Sequence, residues 1–249
     1  MTDTNTGASN PHARWHACVA QATQQGHAGD LLRLAAEAPT PALAETARAA
    51  ARRISEQQAT DAPRQVLLFS GHLVDAPGRA VPRFPPDKVP AAAQRIAQVL
   101  AAIGAGTGDV AYSQAAAGGD LLFVEACLGR GVRCEVLLPF DETEFIARSI
   151  APVSDAAQWR SRYGAAKAAL TRPVRCMPAA LGPTPDEVNP FERCNLWLLD
   201  NALVHGGRPL HFICLWNGGG GDGPGGTQHM HDEVQRRGGR VWWIDTRTL

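Results

Sequence analysis

The chain has 249 residues, 45 % of them hydrophobic, which suits one large α/β domain with a small appendage. Its 24 basic and 24 acidic side chains cancel, removing the basic excess on which nucleic-acid and anionic-membrane binders draw. Six scattered cysteines (Cys18, Cys127, Cys134, Cys176, Cys194, Cys214) form no C-x-x-C pair, and most lie in apolar runs. They read as buried hydrophobes rather than a disulfide framework or a metal site.

The opening residues, MTDTNTGASNPHARW, carry no apolar core of a signal peptide, and no apolar run approaches the length of a membrane span. The expected setting is the cytoplasm. Residues 1–12 read as a polar, disordered tail. Over residues 13–58 the period is helical, with Trp15, Val19 and Ala22 on one face, then Leu43, Ala47, Ala50 and Ile54 on another. Gly29 and the Pro39/Pro41 pair are expected to break this stretch into two or three helices. A linker follows around Ala59–Pro63. The division is therefore a helical arm over 13–62 and an α/β domain over 63–249, with the arm a candidate surface for a protein partner.

From Gln65 onward, short apolar strands alternate with helices. VLLFSG (66–71) is a continuous apolar run, as expected of a strand buried on both faces. A helix follows over about 87–103, then a strand at 109–113 and a helix opening at Gly118-Gly119-Asp120. The next strand is VRCEVLLP (132–139), with helices at about 142–150 and 155–170 and a weak strand at 174–177. Asp141 with Glu144, and Asn189-Pro190-Phe191-Glu192, are helix starts. The strand LHFICLW (210–216) leads into a glycine-rich loop (217–226), a helix over 227–237 and a closing strand, RVWWID (240–245). This alternation predicts an α/β fold with a doubly wound, mainly parallel, Rossmann-like sheet. Ligands of such sheets bind beyond the carboxyl ends of the strands.

Three segments fall there. Gly118, Gly119 and Asp120 open a helix, where backbone N–H groups and the helix dipole favour an anion; a tight turn without ligand is the alternative. Asp120 is unhelpful to an anion at that turn and reads instead as a helix cap, while remaining a candidate ligand contact. Glu125, among Leu121, Leu122 and Leu128, needs a polar partner or an exposed edge. The second segment holds Asn217, Gly225, Gly226 and Thr227, another glycine turn entering a helix. His229 and His231 stand two apart on that helix and point in nearly opposite directions, so they cannot share a metal ion. The third is GHLVDAPGRAVPRFPPD (71–87). Gly71 ends the strand, His72 and Asp75 could contact a base or ribose, and Arg79 and Arg83 could fork onto a phosphate. A proline-stiffened loop with solvated arginines is the alternative. No nucleophile elbow, Walker motif or zinc-helix motif occurs.

Three blocks, GHLVDAPGRAVPRFP, AAGGDLLFVEA and GDGPGGT, resemble the SLOG superfamily of Rossmannoid domains, which includes the lonely-guy phosphoribohydrolases and DprA-like proteins. The likeness is to an uncharacterised bacterial branch and spans about residues 65–245. It implies binding of a nucleotide or nucleotide derivative, NAD-derived signals included, with no further cofactor required. The chain would then be a sensor or regulatory module, a hydrolase of an N-glycosidic bond, or an interaction scaffold, in that order. The hydrolase pattern PGG-x-GT-x-x-E is altered here. Gln228 stands at its third glycine position, His229 at its threonine and Asp232 at its glutamate, with Glu233 following. Asp232 and Glu233 would be the catalytic acids, and Arg193 would fill the role of the enzymes' helix arginine. The oligomeric state stays open, a homodimer included.

Overall fold

In the computed structural model, which describes residues 11–58, 62–178, 181, 184–219 and 227–249, the chain begins with three helices. They are α1 (Pro11–Gln24), α2 (Ala28–Ala36) and α3 (Pro41–Gln57). The tail expected over 1–12 lies outside the described residues, apart from Pro11 and His12 in the first turn of α1. The apolar positions read from the sequence do form one cluster, with Trp15, Val19, Ala22, Leu43, Ala47, Ala50 and Ile54 all buried. Thr40 caps α3, its hydroxyl accepting the Leu43 N–H at 3.3 Å, and Pro41 occupies the first turn. The break between α1 and α2, however, is not at Gly29. It falls at Gly26, whose φ of +69° is the left-handed conformation that glycine tolerates best.

The rest of the chain runs β1 (Val66–Gly71), α4 (Val89–Ile103), β2 (Val110–Ser113), α5 (Gly119–Leu128), β3 (Arg133–Leu138), α6 (Glu142–Ser149) and α7 (Ala156–Ala169). It continues with β4 (Arg175–Cys176), α8 (Pro190–Leu203), β5 (Leu210–Trp216), α9 (Thr227–Arg236) and β6 (Arg240–Asp245). The six strands form one sheet in the order β4-β3-β2-β1-β5-β6, and every pairing is parallel. Side chains alternate between its two faces. Leu67, Phe69, Ala111, Cys134, Val136, Ile213 and Leu215 meet α4, α5, α6 and α7. Val66, Leu68, Val110, Leu137, Phe212 and Cys214 meet α8 and α9. The fold is thus α/β and doubly wound. The two helix starts expected from sequence are capped as the residues suggest, by Asp141 on Glu144 N (3.1 Å) and by Asn189 on Phe191 N (2.9 Å).

The strand order has a physical consequence. From β1 the chain winds outward through β2 and β3 to β4, then returns by α8 to lay β5 on the opposite side of β1. The winding reverses between β1 and β5, and the two connections part there, leaving a crevice beyond Gly71 and Trp216.

The helical arm is docked on α8. Gly29 lies inside α2 at the crossing, where an added Cβ would come within 2.3–2.6 Å of the Asn201 amide group. The glycine thus marks a close helix approach, not a helix end. Beside it, buried Asp30 accepts the Trp197 indole N–H at 2.7 Å and an Arg175 N–H at 2.6 Å. Arg33 faces Asp200 at 3.5 Å, and Arg193 donates to Glu37. Trp197 itself is fully buried, a burial that contributes about 1.5–3 kcal/mol for a large apolar side chain.

Candidate functional site

At the β1/β5 crevice the side chains enclose a cleft of about 400 Å³, within the range of small-molecule pockets. Its floor is formed by Ser70 and Gly71 at the end of β1 and by Trp216 at the end of β5. Ser70 Oγ lies 3.5 Å from Thr227 Oγ1, so the start of α9 sits beside the end of β1. His72 Nε2 is 3.1 Å from Asn217 Oδ1 and 3.3 Å from the Asn217 backbone nitrogen, tying the two post-strand segments together. Burial lowers the His72 pKa, with smaller opposing help from Asn217, so the ring is uncharged at neutral pH.

One wall is the segment after β1. Asp75 staples it, accepting the backbone N–H groups of Arg83 (2.9 Å) and Phe84 (3.1 Å), with Arg79 Nε 3.5 Å away. Its carboxylate is therefore committed to the loop, and its effect on a ligand is to present Arg79 and Arg83, both of which line the cleft. The opposite wall comes from α6 and α8. Arg148 lies over the rings of Phe140 (4.7 Å) and Phe191 (5.2 Å) and pairs with Glu144 at 2.9 Å. Behind it, Gln114 donates to Asn195 at 2.8 Å, and both amides border the cleft.

Asp120 is the acid of this site. It stands in the first turn of α5, is buried, and its Oδ1 accepts the Gly71 N–H at 3.1 Å. Burial pushes its pKa up to about 7; donors from Ala116, Gly71, Ser113 and Gln114 pull the other way but are outweighed. A carboxyl on the border between neutral and ionised thus faces a ligand-sized cleft.

The glycine turn beside it is not the open anion cradle expected from its sequence. Gly118 has φ +135° and ψ −132°, and an added Cβ would lie 2.5 Å from His72 O and 2.8 Å from Val74 N. Leu73 and Gly118 form an antiparallel bridge. The Gly119 N–H donates to His72 O at 3.1 Å, and the Val74 N–H donates to Ala117 O at 3.0 Å. The segment after β1 has thus taken a backbone donor that a phosphate would need. The glycines allow two chain segments to touch.

Other expected residues lie away from the cleft. Glu125 finds its partner in Arg162 of α7, gripped by Nε at 2.8 Å and by a second guanidinium nitrogen. It clamps two helices. Arg193 is buried toward the arm, on Glu37 and the Leu181 carbonyl, so it cannot fill the catalytic role proposed by resemblance. Asp232 is exposed and pairs with His231, and Glu233 is held by Arg236 and Arg237 on the outside of α9. Neither acid borders the cleft, because α9 turns Thr227, Met230 and Val234 inward instead. Gly225 and Gly226 lie outside the described residues. His229 faces Glu192 at 3.2 Å while His231 lies by the Trp216 ring, so the two imidazoles diverge.

Gly71, His72, Asp75, Arg79, Arg83, Asp120 and Thr227 line the cleft, and Asn217 is tied to it through His72. Arg148, Gln114, Phe191 and Asn195 were not legible as site residues. Arg148 reads as an ordinary helix-surface partner of Glu144 at i,i+4 spacing, and only the return of α8 turns it into a wall. Among the described residues, no group of three His, Cys, Asp or Glu side chains could hold a metal ion, and no helix is long and apolar enough to cross a membrane. No protein-family model matches the chain, and no curated protein matches it by sequence.

Proposed function

We propose that the chain binds a phosphate-bearing nucleotide or nucleotide derivative in the β1/β5 cleft and acts as a sensor or regulatory module of SLOG type. The observation that carries this reading is the convergence of Arg79, Arg83 and Arg148 on one cleft at the switch point of a doubly wound sheet. Guanidinium forks suit phosphate oxygens, and the ring faces of Phe191 and Trp216 suit a base. The start of α9, at Thr227, adds a helix dipole directed at the same space.

A second reading, hydrolysis of an N-glycosidic bond, is favoured by one observation. Asp120 is a buried carboxyl with a pKa near 7 in the cleft, as a general acid or base requires. It would take the role for which Asp232 and Glu233 are misplaced.

The test is a thermal-shift panel of nucleotides and their free bases, followed by chromatography of each mixture. Ligand at a hundredfold over its dissociation constant should add about 2.7 kcal/mol. Intact nucleotide with a raised midpoint supports the sensor. Free base released by the wild type and not by Asp120→Asn supports the hydrolase. No shift with any nucleotide refutes both.

A further inference from the structure

A second cleft, of about 430 Å³, lies at the other end of α8, between the sheet and the helical arm. The first cleft is lined by the opening turns of α8, at Asn189, Phe191 and Asn195. This one is lined by its last turns and the following loop, at Asn201, Val204, His205 and Arg208. Its wall departs from what a parallel sheet requires. Strands covered by helices are apolar on both faces, yet here Tyr112, Arg133, Glu135 and Arg175 project from three adjacent strands. The registers Tyr112↔Glu135, Val110↔Arg133 and Leu137↔Arg175 put all four on the α8 face.

The charges on that wall are unevenly matched. Arg175 is neutralised by Asp30. Glu135 is only 5 % exposed and is shared by two guanidiniums, Arg133 Nε and Arg172 Nη1, each at 3.5 Å, too long for a good hydrogen bond. Arg133 Nε is buried with no hydrogen-bond partner among the described residues. Arg208 makes no hydrogen bond or ion pair among the described residues. His205 adds no charge, because burial, with Arg133 and Arg172 nearby, lowers its pKa to about 4; its Nε2 lies 2.8 Å from the Tyr112 hydroxyl. Two guanidiniums thus share one buried carboxylate, a third, on Arg208, lines the same cleft, and exposed Glu56 stands on the rim.

We infer that this cleft is a second anion site, taking a compact phosphate-bearing ligand on Arg133, Arg172 and Arg208. Planar forks on Arg172 and Arg208, with the partly exposed Arg133 side chain between them and the sheet, are the donor set such a ligand uses. The far rim is built by the arm, through Gly26, Gly29 and Gln58, so an occupant would bridge the arm and the sheet. Occupancy then stiffens the arm's attachment at the end of the strands opposite the first cleft.

Inorganic pyrophosphate is the probe, titrated calorimetrically at low salt into the full chain. Arg172 is 60 % exposed and Arg208 is also exposed, so Arg172→Ala/Arg208→Ala should fold normally, as checked by an unchanged melting midpoint without ligand. The expected result is a binding event weakened at least tenfold by that double substitution and retained in Arg148→Ala, which alters only the first cleft. Hydrogen exchange on the wild type gives a readout independent of the variants: pyrophosphate should slow exchange at residues 26–29 and 205–208. A wild type that binds no pyrophosphate, or binding lost in Arg148→Ala and intact in the double variant, overturns the second site. The latter outcome leaves the nucleotide reading of the first cleft standing.

Discussion

Asp120→Asn offers a direct test of the electrostatics of the first cleft, because one group there is set against its surroundings. The folded chain holds the Asp120 proton up to about pH 7, whereas the ordinary value is 3.8. The sign follows from linkage: between those values the native state binds more proton than the unfolded state. The contribution is complete below about pH 4 and is lost as pH rises through 7. Each pH unit of the difference is worth about 1.4 kcal/mol. The two units between pH 5 and pH 7 therefore correspond to about 3 kcal/mol. Asparagine keeps an oxygen to accept the Gly71 N–H but cannot ionise.

The assay is reversible urea unfolding of both proteins at pH 5 and pH 8. Other groups titrate in this window. Asp200 is raised to about 6 by burial, and His72 and His205 are lowered, but these are common to both proteins and cancel in the comparison. Relative to wild type, Asp120→Asn should gain about 3 kcal/mol on going from pH 5 to pH 8. A difference between the two proteins that does not change with pH would show that Asp120 ionises freely, and the acid-base reading of the cleft would fall with it.

Arg148→Ala should weaken nucleotide binding by about 10–100-fold, the range for a lost charged hydrogen bond, while leaving the unliganded melting midpoint nearly unchanged. Glu125→Gln should leave nucleotide affinity within twofold and lower stability only slightly, since a half-exposed ion pair is worth about 0–1 kcal/mol. Gly118→Ala should destabilise by about 1–3 kcal/mol from backbone strain alone, and by more from the contact with His72 O, whereas Gly206→Ala, with nothing within 4 Å, should be close to neutral. Deleting residues 1–62 should broaden or abolish the cooperative unfolding transition followed by circular dichroism, because Arg175, Arg193 and Asp200 lose their carboxylate or guanidinium partners on the arm; a sharp transition at the wild-type midpoint would refute the docking argument.

What could be read locally in the sequence came through well. The central runs of buried strands, VLLF (66–69) and FICLW (212–216), are apolar without interruption because helices cover both faces, and that pattern needs no partner to be recognised. Asn189-Pro190 and Asp141 with Glu144 cap helices within a single turn. The placement of the cleft also followed, since strand-helix alternation brings the post-strand segments together at the carboxyl ends. What lay beyond local reading has a different physics. Glu125 is matched by Arg162, 37 residues on, and Arg193 by Glu37, 156 residues back. No local pattern announces either partner.

Gly118-Gly119 shows why a glycine turn at a helix start is ambiguous. Such a turn lets any backbone-sized object approach the first N–H groups, and a phosphate is one such object. Another strand end is a second, and it carries its own carbonyls. In this chain the segment 72–74 arrives first, and His72 O takes the Gly119 N–H. The motif is then spent on holding β1 to α5, which aims Asp120 at Gly71 and sets the floor of the cleft. On the proposed reading, anion binding passes to guanidiniums that line the cleft, and two of these, Arg79 and Arg83, come from the same long segment that closed the glycine turn. On that reading one segment closes a backbone site and supplies side chains for another a few residues later. On this argument affinity should depend on arginine geometry more than on α5, and Gly118 should matter to the ligand only through the fold.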